Sequence, residues 1–152
     1  MILHDPQEIE RRSMELIEEG LGGRTLDPLQ APIIKRVIHT TADFDYLDNL
    51  VFSDHAVELG LEALRQGASI LTDTEMAKAG INKAALASLG GEIYCFMGDE
   101  ETRQMAKKNQ TTRAVASIER AATLDCPLIV AIGNAPTALL RVGELIRQGR
   151  FS

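Results

Sequence analysis

The stretch KRVIHTTADFD, residues 35–45, brings together a basic pair, a histidine, two hydroxyls and two carboxylates. It begins as an amphipathic helix. At about 100° per residue, Ile33, Ile34, Val37 and Ile38 share one broad face, while Arg36, His39 and Asp43, stepping by three and four, line up nearly opposite. A cation, an imidazole and a carboxylate on one stripe suit acid/base work on an anionic ligand, because imidazole takes up and releases a proton near neutrality. The same stripe equally describes a solvated helix face. Spacing alone leaves both readings open.

A second arrangement lies in LIVAIGNAPTALL, where an apolar run passes through Gly133 and Asn134 into a helix with Pro136 near its start. Such a turn leaves backbone N–H groups facing outward at the carboxyl end of a parallel strand, where α/β proteins gather anions. Any strand-to-helix connection has this form, so a plain turn is an equal reading. Asp73, ending an earlier strand, reads either as a site residue or as the cap of the next helix. No G-x-G-x-x-G or P-loop is present, and the glycines of GLGGRT follow a helix instead of a strand, so a nucleotide cofactor has no support. His4, His39 and His55 show no metal-ligand spacing, and no protein-held metal is expected. His4 reads as a tail residue and His55 as a helix-surface residue. Arg11, Arg12, Arg113, Arg120, Arg141 and Arg147 read individually as surface charges.

These residues need elements to position them. Asp5 and Pro6 open a helix over DPQEIERRSMELIEE, in which Ile9, Ser13, Leu16 and Ile17 place a hydroxyl on the apolar stripe. DPLQAP opens the helix that carries His39, with Pro32 in its first turn. Ser53 reads as the cap of a third helix that ends at Gly67. ASILTD, EIYCFM and LIVAIG read as strands, and the last, an unbroken apolar run, suits burial on both faces. Helices fall between them: TEMAKAG, KAALASLGG capped by Asn82, one after Asp99, TRAVASIERAATL, and the GNAP helix. Strands separated by helices call for crossovers and a mainly parallel sheet, so the class is α/β.

The chain has 152 residues with 45% hydrophobic and 25% charged side chains, which fits one globular domain, 1–152. No apolar run approaches the roughly 18–20 residues needed to cross a bilayer, and MILHDPQEIE lacks a secretory start, so a cytoplasmic protein is expected. A net charge of −6 argues against a general nucleic-acid or anionic-membrane surface. Cys95 and Cys126 lie in apolar segments without C-x-x-C spacing and read as free, buried thiols.

The strings ERRSMELI, KRVIHTTADFDY, LVFSDHAVELGLEALRQGASILTDTEMAKAGINKAAL and IVAIGNAPTALL resemble, in order and over nearly the whole chain, the precorrin-8X methylmutase family, including its cobalt-precorrin-8 branch. The HTTADFDY form looks closer to the cobalt-dependent branch. The resemblance implies a flavodoxin-like three-layer α/β/α sandwich with extra N-terminal helices. It also implies an isomerase of cobalamin biosynthesis that shifts a methyl group from C-11 to C-12 of precorrin-8X or cobalt-precorrin-8, giving hydrogenobyrinate or cobyrinate. His39 matches the family's catalytic histidine and is expected to act as general acid, steadied by Arg36 and the GNAP helix terminus. Ser13, Arg36 and, less closely, Arg113 match substrate-contacting positions. No cofactor is implied, since any cobalt belongs to the substrate, and the family works as a homodimer with the tetrapyrrole at the subunit interface. Family members continue with a further strand, a glycine-rich V-G-F-V segment and another helix that this sequence lacks, so the fold is expected to be incomplete at the C-terminus. An alternative is a non-catalytic corrinoid-binding or carrier module; a third is an unrelated α/β domain binding a small anion at the GNAP turn.

Overall fold

The computed structural model describes residues 5–151, and His4 lies outside them. The chain divides into two compact units, Met1–Leu59 and Gly60–Ser152.

In the first unit, α1 (Pro6–Gly20) starts as its sequence predicts: Asp5 accepts a hydrogen bond from the Gln7 amide at 3.0 Å, and Pro6 occupies the first turn, where its missing N–H costs nothing. The Asp27 carboxylate accepts from the amides of Leu29 and Gln30, at 2.9 and 3.1 Å, and so closes a turn ahead of α2 (Ala31–Thr41). α2 ends at Thr41 because Ala42 is left-handed, φ 56°, with its N–H bonded to the Ile38 carbonyl. Asp43 therefore leaves the helical stripe expected for it. Its carboxylate accepts instead from the Asp45 amide at 2.9 Å and turns the chain into the short α3 (Tyr46–Asn49). Ile17, Ile34 and Ile38 form the core of the unit, with Met14, Leu26, Tyr46, Leu47, Leu50 and Phe52 packed around them. Of the expected apolar face of α2, Ile34 and Ile38 are buried, while Ile33 is exposed and Val37 is half-buried.

α4 (Ala56–Arg65) does not follow directly on Ser53 as expected, because His55 has a φ of 58° and cannot continue a helix. It ends where expected. Gly67, at φ 83°, lets the Gly67 and Ala68 amides fold back onto the carbonyls of Leu64 and Ala63, a closure that a side chain at Gly67 would strain.

The second unit continues with β1 (Ser69–Thr72), α5 (Glu75–Gly80), α6 (Lys83–Ser88), β2 (Ile93–Tyr94), α7 (Glu100–Lys108), α8 (Arg113–Ala121), β3 (Leu128–Ala131) and α9 (Pro136–Arg147). The sheet order is β2-β1-β3 and both pairings are parallel. This is the mixed α/β fold expected: a parallel sheet flanked by helices and preceded by extra N-terminal helices. Thr74, Asn82 and Thr112 cap α5, α6 and α8, each side chain accepting an amide from the first turn. Leu71 packs with Ala114, Ile118, Ala121, Ala138 and Leu145, so the small residues of α8 and α9 let those helices approach the sheet closely.

Two strands differ from expectation. β3, read as buried on both faces, is a half-exposed edge, whereas β1 is the centre and buries Leu71 and Thr72 completely. An apolar run measures a preference for burial, while strand order is set by the crossovers, which hydropathy does not encode. EIYCFM shrinks to two residues because the chain turns away after Tyr94, with the Asp99 amide bonded to the Phe96 carbonyl.

Candidate active site

Ser13 on α1 and His39 on α2 meet in the first unit, Oγ to Nδ1 at 2.7 Å. At the same offset of 26 residues and one turn earlier on both helices, the Arg36 guanidinium donates to the Glu10 carboxylate at 2.9 Å. Lys35 and Glu18 form a further ion pair between the two helices. His39 lies on a pocket of about 160 Å³ whose other walls are Ser13, Leu16, Ile17, Ile38, Ala42 and Phe44. The walls are mainly apolar, and Leu16 and Phe44 keep 50% and 38% of their surface exposed, which gives the mouth a greasy rim. Phe44 lies so close to Gly20 that a Cβ there would overlap its ring, so the glycine admits this wall. Nδ1 is held by Ser13, and Nε2 has no protein partner among the described residues. The arrangement is an oriented imidazole with one nitrogen free to meet a ligand.

The other expected site residues are placed differently. Arg36 gives its hydrogen bond to Glu10 and not to His39. Both members of that pair are more than half exposed, so the pair contributes little stability and a ligand carboxylate could take Glu10's place. Arg113 belongs to the second unit, where it is the exposed first residue of α8 and has no ion pair among the described residues.

The GNAP turn is not an open anion site. Asp73, only 3% exposed, sends its carboxylate across to β3's end and accepts from the amides of Gly133, Asn134 and Ala135 at 3.1, 2.8 and 2.8 Å. Burial works to raise its pKa, but the three backbone N–H groups outweigh burial and hold it below the ordinary aspartate value. The donors that were expected to face a ligand, or to steady His39, already bind an anion supplied by the chain itself. Asp73 is therefore not the cap of α5; Thr74 is.

Two arginines read as surface charges are four-fifths covered. Arg120 donates to Asp99 at 2.6 Å and to Thr102 at 2.8 Å, pairs with Glu101 at 3.0 Å, and lies 4.5 Å above the Phe96 ring. Asp99 thus spends its side chain on Arg120 instead of capping α7. Arg141 sits between Glu119 and Glu144, at 2.8 and 2.6 Å, beside a cleft of about 450 Å³ that Thr111, Val115, Thr137 and Leu140 also line. Sequence spacing signals only the Arg141–Glu144 pair, at three residues along one helix; the partners on other elements leave no local trace. Both cysteines are free, and burial pushes the Cys95 thiol above its ordinary pKa. Among the described residues no group of three or more His, Cys, Asp or Glu side chains could hold a metal ion, and no helix is long and apolar enough to cross a membrane.

Fold and site together define an α/β protein whose N-terminal helical unit presents an oriented, half-buried imidazole at an apolar pocket. The precorrin-8X methylmutase family (CbiC) matches residues 8–152, and the chain belongs to it. Cobalt-precorrin-8 methylmutase of Priestia megaterium is 40% identical over 144 residues, which cover 95% of this chain and 64% of that protein. Its counterpart in Salmonella typhimurium is 43% identical over 148 residues, 93% of this chain and 70% of that protein. The crystal structure of precorrin-8X methyl mutase from Thermus thermophilus superimposes with a TM-score of 0.81 at 40% identity, covering 94% of this chain and 69% of that one. The chain thus spans roughly two thirds of the length of its relatives, and 64% of the Priestia protein.

Proposed function

We propose that this chain acts in cobalamin biosynthesis as an isomerase that moves a methyl group from C-11 to C-12 of precorrin-8X or cobalt-precorrin-8. In this reading His39 is the general acid. The shift breaks one carbon–carbon bond and forms another within the same molecule, so it needs no nucleophile and no redox cofactor. It needs the ring held in place and its electron distribution biased by a proton, which an imidazole supplies near neutrality. The observation that carries the proposal is the Ser13-held His39 at an apolar pocket, with Nε2 free. The greasy rim of Leu16 and Phe44 suits the face of a macrocycle, while the exposed Arg36 guanidinium suits one of its peripheral carboxylates. Cobalt-precorrin-8 is the favoured substrate, because the Priestia and Salmonella relatives carry that name.

A pocket of about 160 Å³ admits one edge of a tetrapyrrole, well below the roughly 300–1,000 Å³ of pockets that enclose drug-sized ligands. A homodimer in which a second copy covers the rest of the ring follows from this reading. The family match runs through both compact units, which supports treating them as one functional domain.

A second reading is a corrinoid-binding or carrier module without turnover. It rests on the same pocket, because the apolar walls around His39 can hold the edge of a ring without any proton being transferred. One experiment separates the two. The purified chain is mixed with precorrin-8X or its cobalt form and the visible spectrum is followed. Conversion to the corrin supports the isomerase, binding without conversion supports the carrier, and no binding removes both.

A further inference from the structure

We infer that Phe44 is the platform on which the macrocycle stacks, and that Gly20 leaves the recess in which its ring is held. This inference rests on the reading of the His39 pocket as a corrinoid site and names the residue that fixes the ligand's position there. Of the aromatic side chains in the first unit, Tyr46 and Phe52 pack against the core of Ile17, Ile34 and Ile38. Phe44 stands outside that core, keeps 38% of its surface exposed and lines the pocket beside His39. A benzyl group in that position leaves apolar surface in water, and contact with an apolar ligand would remove it.

Gly20 supplies an independent observation. It is the last residue of α1 and its backbone is not left-handed, so no turn requires a glycine there, and glycine is a poor helix residue. The atoms nearest to a Cβ built on it, Cε1, Cζ and Cδ1, all belong to the Phe44 ring. The missing side chain makes room for this ring. The backbone that presents Phe44 is held on both sides. Thr41 Oγ1 donates to the Val37 carbonyl at 2.8 Å and accepts from the Asp43 amide at 3.2 Å. The Asp43 carboxylate accepts from the Asp45 amide at 2.9 Å, and the Phe44 carbonyl from the Leu47 amide at 3.0 Å. A ring seated before the ligand arrives loses little rotamer freedom on binding, and its face suits offset stacking on a conjugated macrocycle. Because Phe44 and His39 line one pocket, a macrocycle stacked on the first brings an edge to the second. The recess also selects phenylalanine over tyrosine, whose hydroxyl would extend from Cζ toward the backbone of α1.

The test begins with binding and needs no turnover. The full chain, deuterated except at its phenylalanine rings, is mixed with hydrogenobyrinate, and nuclear Overhauser contacts from those rings to the macrocycle are recorded. Contacts are expected in the wild-type chain and should vanish in Phe44→Leu. Bound corrin without such contacts, or contacts that survive Phe44→Leu, overturns the inference. In absorbance titrations Phe44→Ala is expected to raise Kd about tenfold or more, the combined effect of lost apolar area and lost stacking, and Phe44→Leu to raise it less. An unchanged Kd in Phe44→Ala overturns the inference. Thermal melts of Phe44→Leu should lie close to the wild-type melt, since the ring is outside the core, so its loss of contacts reports the site and not the fold. Phenylalanine contacts without conversion of precorrin-8X would remove the isomerase reading and leave Phe44 in its role, whereas a wild-type chain that binds no corrin overturns both.

Discussion

Replacing Asp73 by asparagine tests how the GNAP turn is held. In the wild-type protein Oδ2 accepts from the Asn134 and Ala135 amides and Oδ1 from Gly133. Asparagine has one acceptor oxygen. If it stays with Asn134 and Ala135, the new NH2 group faces the Gly133 N–H, donor against donor. One hydrogen bond to a charged group is lost, worth about 1.5–3 kcal/mol, and the remaining two lose their charge, for a total of roughly 2–4 kcal/mol. In a chain of this size each kcal/mol moves Tm by about 2–4 °C, so a fall of roughly 5–15 °C is expected at pH 7. The pH dependence supplies the sign. The folded pKa of Asp73 lies below its ordinary value, so its contribution is present above that ordinary value and disappears as pH falls through the folded one. The gap between the two proteins, followed by circular dichroism melts and by urea titration, should therefore be constant from pH 7 to about 5 and close below about pH 4. A fall under about 2 °C at pH 7, or a gap that persists undiminished in acid, would refute the reasoning.

Three further outcomes follow from packing and burial. A Cβ at Gly91 would overlap the backbone carbonyl oxygen of Ala68, which cannot swing aside, so Gly91→Ala should destabilise by about 1–3 kcal/mol in urea unfolding. At Gly20 the obstacle is the Phe44 ring, which is partly exposed and can move; Gly20→Ala should cost less stability than Gly91→Ala but weaken corrinoid binding in an absorbance titration, because it displaces a pocket wall. Toward a thiol reagent at pH 8, Cys126 should react before Cys95, since Cys95 is buried and its thiolate is disfavoured; equal rates would contradict that burial.

Local chemistry made much of this legible. Caps at Asp5 and Asn82, the stop at Gly67 and the parallel sheet follow from side-chain type and spacing, because each depends on neighbours a few residues away. Ser13 stood out as a hydroxyl on an apolar stripe and His39 as part of a polar one. Their contact, 26 residues apart, depends on how two helices pack and has no local signature. The same limit applies to Asp73 and the GNAP amides, 60–62 residues distant, where spacing does not decide between an anion site and a plain turn. Asp43 was misplaced for a smaller reason: a single left-handed alanine ended the helix one residue before it. Arg120 and Arg141 looked like surface charges because an arginine's burial is decided by carboxylates and rings on other elements.

The central claim is that the His39 imidazole donates a proton to a corrin precursor. Its most direct measurement compares wild-type and His39→Asn chains in conversion of cobalt-precorrin-8, with substrate affinity measured alongside. The account predicts that conversion falls by about 10²–10⁴-fold while Kd changes only a few-fold. Conversion at the wild-type rate in the asparagine variant, with the substrate still bound, would contradict it.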